Sequence, residues 1–292
     1  MTTPVSLPPL EDLTLPGDGV TLHAVQTGDP HGPLVLLLHG FPEFWYGWRH
    51  QLGPLADAGF RVVAPDQRGY ATSDKPPRVA DYNLDRLAAD IASAITALGA
   101  ERARVVGHDW GGVVAWWLAL RYPERVERLT ILNAPHPPLM WRSLWRNPRQ
   151  LVRSWYIFMM QVPWLPEWTA PWRNWRAVVR AMQSSSRPGT FTPEDFDRYR
   201  WAWSRPGAYH AMLNWYRAAL QARPPEPADL RIRVPTLVLW GARDKFIGRE
   251  LAVASVAQCE DGRLEYIEEA THWVQHEEPE RVNRRLIEFL KV

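Results

Sequence analysis

The sequence is short of cysteine and of lysine. Among its 292 residues, Cys259 is the single cysteine, which excludes an intramolecular disulfide and a cysteine-based metal cluster and suits a reducing compartment. Only three of the 34 basic residues are lysines, so 31 are arginines, yet 32 acidic residues hold the net charge at +2. This balance lacks the strongly basic character of a nucleic-acid-binding protein. We therefore expect no nucleic-acid partner.

Long apolar runs are also missing. The longest uninterrupted one, residues 113–120, is far below the roughly 20 residues that a membrane-spanning helix needs. The first residues contain neither a basic region nor an apolar stretch, so no signal peptide is predicted. From these two absences we expect a soluble, cytoplasmic protein without a membrane partner.

Short apolar runs alternate with segments of helical periodicity. A hydrophobic content of 46% is ample for a core. The apolar runs have the length and composition of buried parallel strands. They occupy residues 34–38, 61–65, 104–107, 129–132, 235–240 and 264–267. The alternating residues 20–26 predict a strand of an edge hairpin. Helices are predicted at 85–98, before Gly99, and at 279–290. This alternation predicts an α/β fold with a mostly parallel, doubly wound sheet.

The pattern changes between about residues 135 and 228. This segment has no strand-like run, is repeatedly broken by proline and contains ten of the 17 tryptophans. It predicts an all-helical lid, or cap, inserted into the α/β core. We expect core residues 1–134, a cap at 135–228 and the rest of the core at 229–292. Most cap tryptophans are expected to be buried, and a few to line an apolar pocket.

The segment 105–112, VVGHDWGG, resembles a strand, a sharp turn and the start of a helix. Its frame is G-x-S-x-G, the nucleophile elbow, with Asp109 in place of serine. A carboxylate needs no base to activate it, and the helix N-terminus favours an anion. We therefore predict Asp109 as a nucleophile.

Two later loops supply an acid and a histidine. Asp244 and His272, 28 residues apart, each follow a predicted strand, in the chain order nucleophile, acid, histidine. A rival position for the acid is occupied by Asn133, which cannot carry charge. His276 is expected to be exposed and without function.

A carboxylate nucleophile suits attack on an sp³ carbon, which gives an alkyl ester. His272, oriented by Asp244, would then activate water against that ester. The backbone N–H groups of Phe41 and Trp110 are predicted to bind the resulting oxyanion. Asp109 alone does not decide between two possible leaving groups, an epoxide oxygen and a halide.

Four motifs together resemble the epoxide hydrolase branch of the α/β-hydrolase superfamily. They are HGFPE at 39–43, GHDWGG at 107–112, ARDKF at 242–246 and THW at 271–273. The resemblance implies two cap tyrosines that hydrogen-bond the epoxide oxygen, and these positions are Tyr156 and Tyr216. It also implies a cis Phe41–Pro42 peptide bond. The substrate pocket is expected to include His39, Pro42 and Trp273.

The tyrosines favour an epoxide, because an opened epoxide leaves an alkoxide that needs a proton and a halide does not. The predicted partners are therefore a small apolar epoxide and water, with no cofactor and no metal. A detoxifying role and a monomer or homodimer are expected. Two alternatives stay open: a haloalkane or haloacid dehalogenase of the same fold, and a non-catalytic binding protein.

Overall fold

The computed structural model describes residues 6–292 and contains one eight-stranded sheet. Its order is β1-β2-β4-β3-β5-β6-β7-β8. Strands β1 and β2 are antiparallel to their neighbours, whereas β4, β3 and β5 to β8 run parallel. The strands are β1 (Glu11–Pro16), β2 (Thr21–Gly28), β3 (Leu34–Leu38), β4 (Arg61–Pro65), β5 (Ala103–His108), β6 (Val126–Leu132), β7 (Thr236–Gly241) and β8 (Gly262–Ile267). The predicted mostly parallel α/β sheet is confirmed.

Thirteen α-helices are present in the described part of the chain. Six pack with the sheet: α1 (Arg49–Asp57), α2 (Leu84–Ala97), α3 (Trp110–Arg121), α11 (Arg249–Val256), α12 (Val274–Glu277) and α13 (Pro279–Leu290). Seven lie between β6 and β7: α4 (Pro137–Arg146), α5 (Pro148–Arg153), α6 (Trp155–Met159), α7 (Leu165–Thr169), α8 (Trp172–Ser185), α9 (Pro193–Trp203) and α10 (Ala208–Gln221). We call these seven helices the cap. They occupy the segment where the sequence predicts a helical insertion.

Strand β3 explains why the sheet is covered on both faces. All five of its residues are buried. Leu34, Leu36 and Leu38 join one hydrophobic cluster, and Val35 and Leu37 join another. Successive side chains of a strand point to opposite faces, so helices must cover both. Burying each such side chain stabilises the fold by about 1.5–3 kcal/mol.

Capping residues in the sequence correctly predict where some helices begin and end. The predicted helix at 85–98 is α2, which begins after Asn83, whose side chain accepts a hydrogen bond from the Arg86 N–H. Gly99 follows the helix with φ of 77°, a conformation that glycine adopts without strain. The predictions for β3, β4 and α13 match the observed residues.

The prediction that most cap tryptophans are buried is wrong. Six of the ten are exposed: Trp145, Trp155, Trp164, Trp168, Trp172 and Trp201. Only Trp175, Trp203 and Trp215 are buried. Trp155, Trp164 and Trp168 lie on or beside the short helices α6 and α7, which have too few residues to form a continuous buried face. The other three exposed tryptophans lie on the longer helices α4, α8 and α9. Within residues 6–292, no helix combines the length and apolar character needed to cross a bilayer.

Candidate active site

Asp109 lies between the end of β5 and the first residue of α3. Its φ of 50° and ψ of −123° are unusual for a residue with a side chain, so the turn is strained. A Cβ on Gly111 would overlap the Leu38 carbonyl, and one on Gly107 would overlap Gly111. Glycine is therefore required on both sides of Asp109. The strained turn presents the carboxylate above the carboxyl ends of the parallel strands.

The loop after β3 contacts the Asp109 carboxylate. The Phe41 N–H donates to Asp109 Oδ1 at 2.8 Å. A Cβ on Gly40 would overlap the Asp109 side chain, so glycine permits this approach. The Phe41–Pro42 peptide bond is cis, as the sequence resemblance implied. Trp110, which carries the other predicted oxyanion donor, directly follows Asp109 as the first residue of α3.

His272 lies between the two carboxylates. Its Nδ1 is 2.8 Å from Asp244 Oδ2, and its Nε2 is 3.5 Å from Asp109 Oδ2. The structure thus brings together the three residues predicted from separate loops. Burial lowers the pKa of His272, but Asp244 and Asp109 outweigh it and raise that pKa to about 10.

Asp244 is held by four donors. Its Oδ1 accepts hydrogen bonds from the backbone N–H groups of Phe246, at 2.7 Å, and Ile247, at 3.0 Å. Its Oδ2 accepts from the Asn133 amide, at 2.8 Å, as well as from His272. Burial alone would raise the pKa of Asp244, but His272 and these donors lower it. Asp244 therefore remains a carboxylate that orients the imidazole.

Asn133 is a site residue whose role the sequence did not reveal. Besides binding Asp244, its side-chain oxygen accepts from the Gly241 N–H at 2.8 Å. It has φ of 43° at the end of β6. The sequence signal was its place one strand away from Asp244, where an alternative acid would stand. The structure makes it an anchor for the loop that carries that acid.

The prediction that His276 is exposed is wrong. His276 is buried, with Nε2 2.8 Å from Glu43 Oε1 and Nδ1 3.1 Å from an Arg49 nitrogen. Burial and Arg49 lower its pKa, so the neutral ring accepts from Arg49 and donates to Glu43. The reason is α12, a single turn that carries His276 inward behind Trp273.

Glu43 joins this cluster to His272. The Gln275 amide donates to Glu43 Oε2 at 3.2 Å and to His108 Nδ1 at 3.0 Å. His108 Nε2 then donates to the His272 carbonyl at 2.9 Å. The same Glu43 accepts from Tyr199 of cap helix α9 at 2.6 Å. A continuous buried chain of hydrogen bonds therefore connects the cap with the backbone of His272.

Tyr156 and Tyr216 come from different cap helices, α6 and α10, and their ring centroids are 6.1 Å apart. Together with Asp109, they line two apolar cavities, of about 120 and 320 Å³. Burial, followed by the charge of Asp109, raises the pKa of both phenols. Both phenols therefore stay protonated near neutral pH, so each can donate a hydrogen bond at the cavity wall.

Two of the three predicted pocket residues line a cavity and the third does not. Pro42 and Trp273 line the larger cavity, but His39 does not line either. His39 is buried beneath the loop: its Nε2 accepts from the Gln67 N–H, and its Nδ1 lies 3.1 Å from the Gly40 carbonyl. The prediction for His39 is therefore wrong, because both ring nitrogens are used to hold the loop. Within residues 6–292, no cluster of histidine, cysteine and carboxylate side chains is arranged to hold a metal.

The fold and this site define the class. A parallel sheet with a helical insertion, a nucleophile elbow and an acid–histidine pair at the strand ends characterises an α/β-hydrolase. Residues 33–279 match the family described as alpha/beta hydrolase fold. In sequence, the chain is 46% identical over 274 residues to the AB hydrolase superfamily protein YfhM of Bacillus subtilis, covering 94% of this chain and 96% of that protein.

More specific relatives narrow the class. The chain is 40% identical over 276 residues to Epoxide hydrolase 1 of Caenorhabditis elegans, which covers 93% of this chain and 68% of that protein. A crystal structure of Bacillus megaterium epoxide hydrolase with an inhibitor superimposes with a TM-score of 0.86 at 31% identity, covering 96% of this chain and all of that chain. The protein belongs to the epoxide hydrolase family.

Proposed function

We propose that the protein converts an apolar epoxide and water into a vicinal diol through a covalent ester on Asp109. In the first step, an Asp109 oxygen attacks one epoxide carbon and the carbon–oxygen bond of the ring breaks. The electron pair stays on the epoxide oxygen, which takes a proton from Tyr156 or Tyr216. The product is an alkyl ester and a free hydroxyl group.

In the second step, neutral His272 removes a proton from water, and the resulting hydroxide adds to the ester carbonyl. Asp244 stabilises the imidazolium that forms. The Phe41 and Trp110 N–H groups receive the oxyanion; the Phe41 N–H already donates to an Asp109 oxygen at 2.8 Å, which supports this role. Collapse of the intermediate breaks the bond to the diol oxygen, and that oxygen takes the proton of the acid group left on Asp109, so the diol is released and the carboxylate is restored. The tyrosine that gave up its proton in the first step regains one from His272, which must lose its own proton before it can act as the base.

His272 has to change its basicity during the cycle. In the free enzyme, both Asp244 and Asp109 raise its pKa to about 10, so the ring is protonated near neutral pH. Ester formation removes the charge of Asp109 and with it one of these two carboxylates. The pKa of His272 then falls, and the ring becomes able to accept a proton from water at the point where the reaction needs a base.

The observation that carries the proposal is the pair of protonated phenols that share a cavity with Asp109. A halide leaves as an anion and needs no proton, so a dehalogenase would have little use for two phenols. The oxygen of an opened epoxide does need a proton.

The test uses the variant His272→Gln with a styrene-type epoxide, quenched after mixing. We expect mass spectrometry to find the substrate mass added to the peptide that contains Asp109, because the ester forms but is not hydrolysed. Asp109→Ala is the control and should carry no adduct. Diol formation by wild type without any adduct in His272→Gln would contradict the covalent route. Halide release from haloalkanes without diol formation would replace the proposed reaction with the dehalogenase alternative.

A further inference from the structure

The first half of the cap exposes large apolar side chains. Trp164 is 79% exposed and Trp168 is 83% exposed. With Trp145, Trp155 and Trp172, they form what we call the tryptophan face. Val152, Val162 and Leu165 are exposed on the same helices and connections. Concentrations of exposed apolar side chains on this scale mark interaction surfaces in soluble domains.

The charge of this part of the cap is one-sided. Between α4 and the end of α8, residues 137–185, there are seven arginines and one acidic residue, Glu167. All seven arginines are exposed: Arg142, Arg146, Arg149, Arg153, Arg173, Arg176 and Arg180. Within residues 6–292, an acidic partner is recorded for Arg142 alone. Glu167 is already paired with Arg217 and His210. Six cationic side chains around the tryptophan face therefore remain available to anions.

The larger cavity reaches the surface within this face. Trp155 and Met159 both line the cavity and are exposed. Thr169 of α7 and Ala177 of α8 line the same cavity, so α6, α7 and α8 surround its mouth. Trp164, Trp168 and Trp172 lie on or directly beside these helices. An apolar compound entering here would pass Trp155 of the tryptophan face, and Met159, before it reached Asp109.

We propose that the tryptophan face docks on the surface of an anionic lipid bilayer and draws apolar epoxides from it into the cavity. Tryptophan is the side chain that best occupies the boundary between lipid headgroups and acyl chains, and arginine binds the lipid phosphates beside it. A second copy of the chain fits less well, because a symmetric contact would bring two sets of unpaired arginines together. The use of the cavity as an exit from lipid rests on the proposed epoxide hydrolase function; the docking itself does not.

This surface contact differs from a membrane span. The sequence predicted no membrane partner because it lacks a long apolar run, and that argument applies to helices that cross the bilayer. A surface-bound protein needs only a shallow apolar layer and basic side chains at headgroup depth. The proposal therefore replaces the expectation of no membrane partner.

The first experiment measures sedimentation of the full-length protein with vesicles. We expect binding to vesicles of equal parts phosphatidylglycerol and phosphatidylcholine, much weaker binding to phosphatidylcholine alone, and loss of binding as salt rises. Trp164→Ser combined with Trp168→Ser should abolish most of it. Arg149→Gln combined with Arg153→Gln should lower the partition coefficient about thirtyfold, since each basic residue contributes about 1 kcal/mol at an anionic surface.

Matched controls separate this face from general charge. Arg263 and Arg284 are exposed, have no recorded acidic partner in the described chain, and lie on β8 and α13. Arg263→Gln combined with Arg284→Gln should leave vesicle binding unchanged. An equal loss in both arginine pairs would overturn the docking face. Absence of wild-type binding to anionic vesicles would also overturn it. The same holds if the main effect of the tryptophan substitutions is a change in oligomeric state or in the binding of single-stranded DNA.

A second measurement links docking to turnover. Each variant is assayed for diol formation with a water-miscible epoxide, and again with an epoxide dissolved in the anionic vesicles. The tryptophan variant should keep its rate on the dissolved substrate and lose several-fold on the vesicle-borne one; equal rates on both would overturn delivery from lipid. A wild type that binds vesicles but forms no diol from either substrate would disprove the proposed function and leave the docking face standing.

Discussion

At the scale of single side chains, the proposed choice of an epoxide as substrate rests on Tyr156 and Tyr216. Tyr156→Phe and Tyr216→Phe keep the ring and remove only the hydroxyl group. We expect each to lower kcat/KM for an epoxide about 10²-fold, since each removes one donor to the leaving oxygen. Steady-state diol formation measures this.

Tyr209 provides the matched control for the two phenols. It lines the larger cavity and burial raises its pKa, but the nearest charge that affects it is Glu167 and not Asp109. Tyr209→Phe should therefore leave kcat/KM close to the wild-type value. Equal losses in all three variants would mean that the hydroxyl groups support packing and do not donate to the substrate.

The protonation of His272 leads to a second prediction. Ester formation does not require neutral His272, but ester hydrolysis does. Because the neutral fraction of an imidazole grows with pH, the rate of ester hydrolysis should rise as pH rises through the pKa of His272 in the ester, which lies below the value of about 10 in the free enzyme. Rapid quenching at a series of pH values should find the largest ester fraction on the acidic side. An ester fraction that grows with pH would contradict the assignment of His272 as the base.

At this same scale, the sequence predicted the three side chains that meet in the structure better than the groups packed behind them. Asp109, Asp244 and His272 are recognisable because each stands in a motif at the end of a strand. His276 was placed wrongly because a single histidine has no pattern that reports whether its neighbours are water or a buried carboxylate. His39 was placed wrongly because its motif does not report that both ring nitrogens contact the loop backbone instead of the cavity. Only the tertiary structure brings Glu43 to within hydrogen-bonding distance of His276, 233 residues away in sequence.

Helix α9 shows at the scale of elements how the cap is fastened to the core. Asp195 of α9 is 3.1 Å from Arg49 of α1 and accepts from the Tyr46 hydroxyl at 2.9 Å. Arg49 and Asp195 are both buried, so neither charge can turn to water if the other is lost. A buried ion pair adds little net stability when both partners are present, but removing one partner is costly because the other charge is left buried and uncompensated.

Arg49→Met tests this fastening. We expect it to lower the free energy of unfolding by about 3–5 kcal/mol, because Asp195 loses its cation and His276 loses a donor. Urea unfolding followed by fluorescence measures the change. Arg78→Met, which breaks an exposed pair with Asp81, is the control and should have little effect. A small change in Arg49→Met would mean that water or a neighbouring donor takes the place of the guanidinium.

Elements were predictable in proportion to the strength of their local pattern. Strands such as β3 are recognisable in the sequence as short apolar runs, and α2 is recognisable by the capping residues at its two ends. The cap was predictable as helical but not in its arrangement. Its helices α5, α6 and α7 have only five or six residues each, too few for a periodic apolar face to appear in the sequence.

The two cavities make a prediction that concerns the whole molecule. They meet at Asp109, Tyr156 and Tyr216, so space for substituents exists on both sides of the reacting carbon. Half-buried Ala219 lines only the smaller cavity. Ala219→Trp should therefore lower activity on epoxides substituted at both carbons, by tenfold or more, and spare terminal epoxides whose single group occupies the larger cavity.

The comparison between the two substrate types, made on the same variant, serves as its own control. Diol formation from a terminal and an internal epoxide would be followed under the same conditions. If both rates fall together, the substitution has disturbed the cap as a whole. If neither changes, the smaller cavity is not used by substrate.

The cap leaves the sheet after β6 and returns at β7, and these two strands are direct neighbours. The insertion thus takes the place of one ordinary crossover connection, and the order of strands does not depend on its length. During evolution, insertions and deletions between these strands can lengthen, shorten or reshape the cover while the elbow and its acid–histidine pair stay fixed. One scaffold can in this way acquire new substrates by exchanging a single segment, without any change to the groups that react.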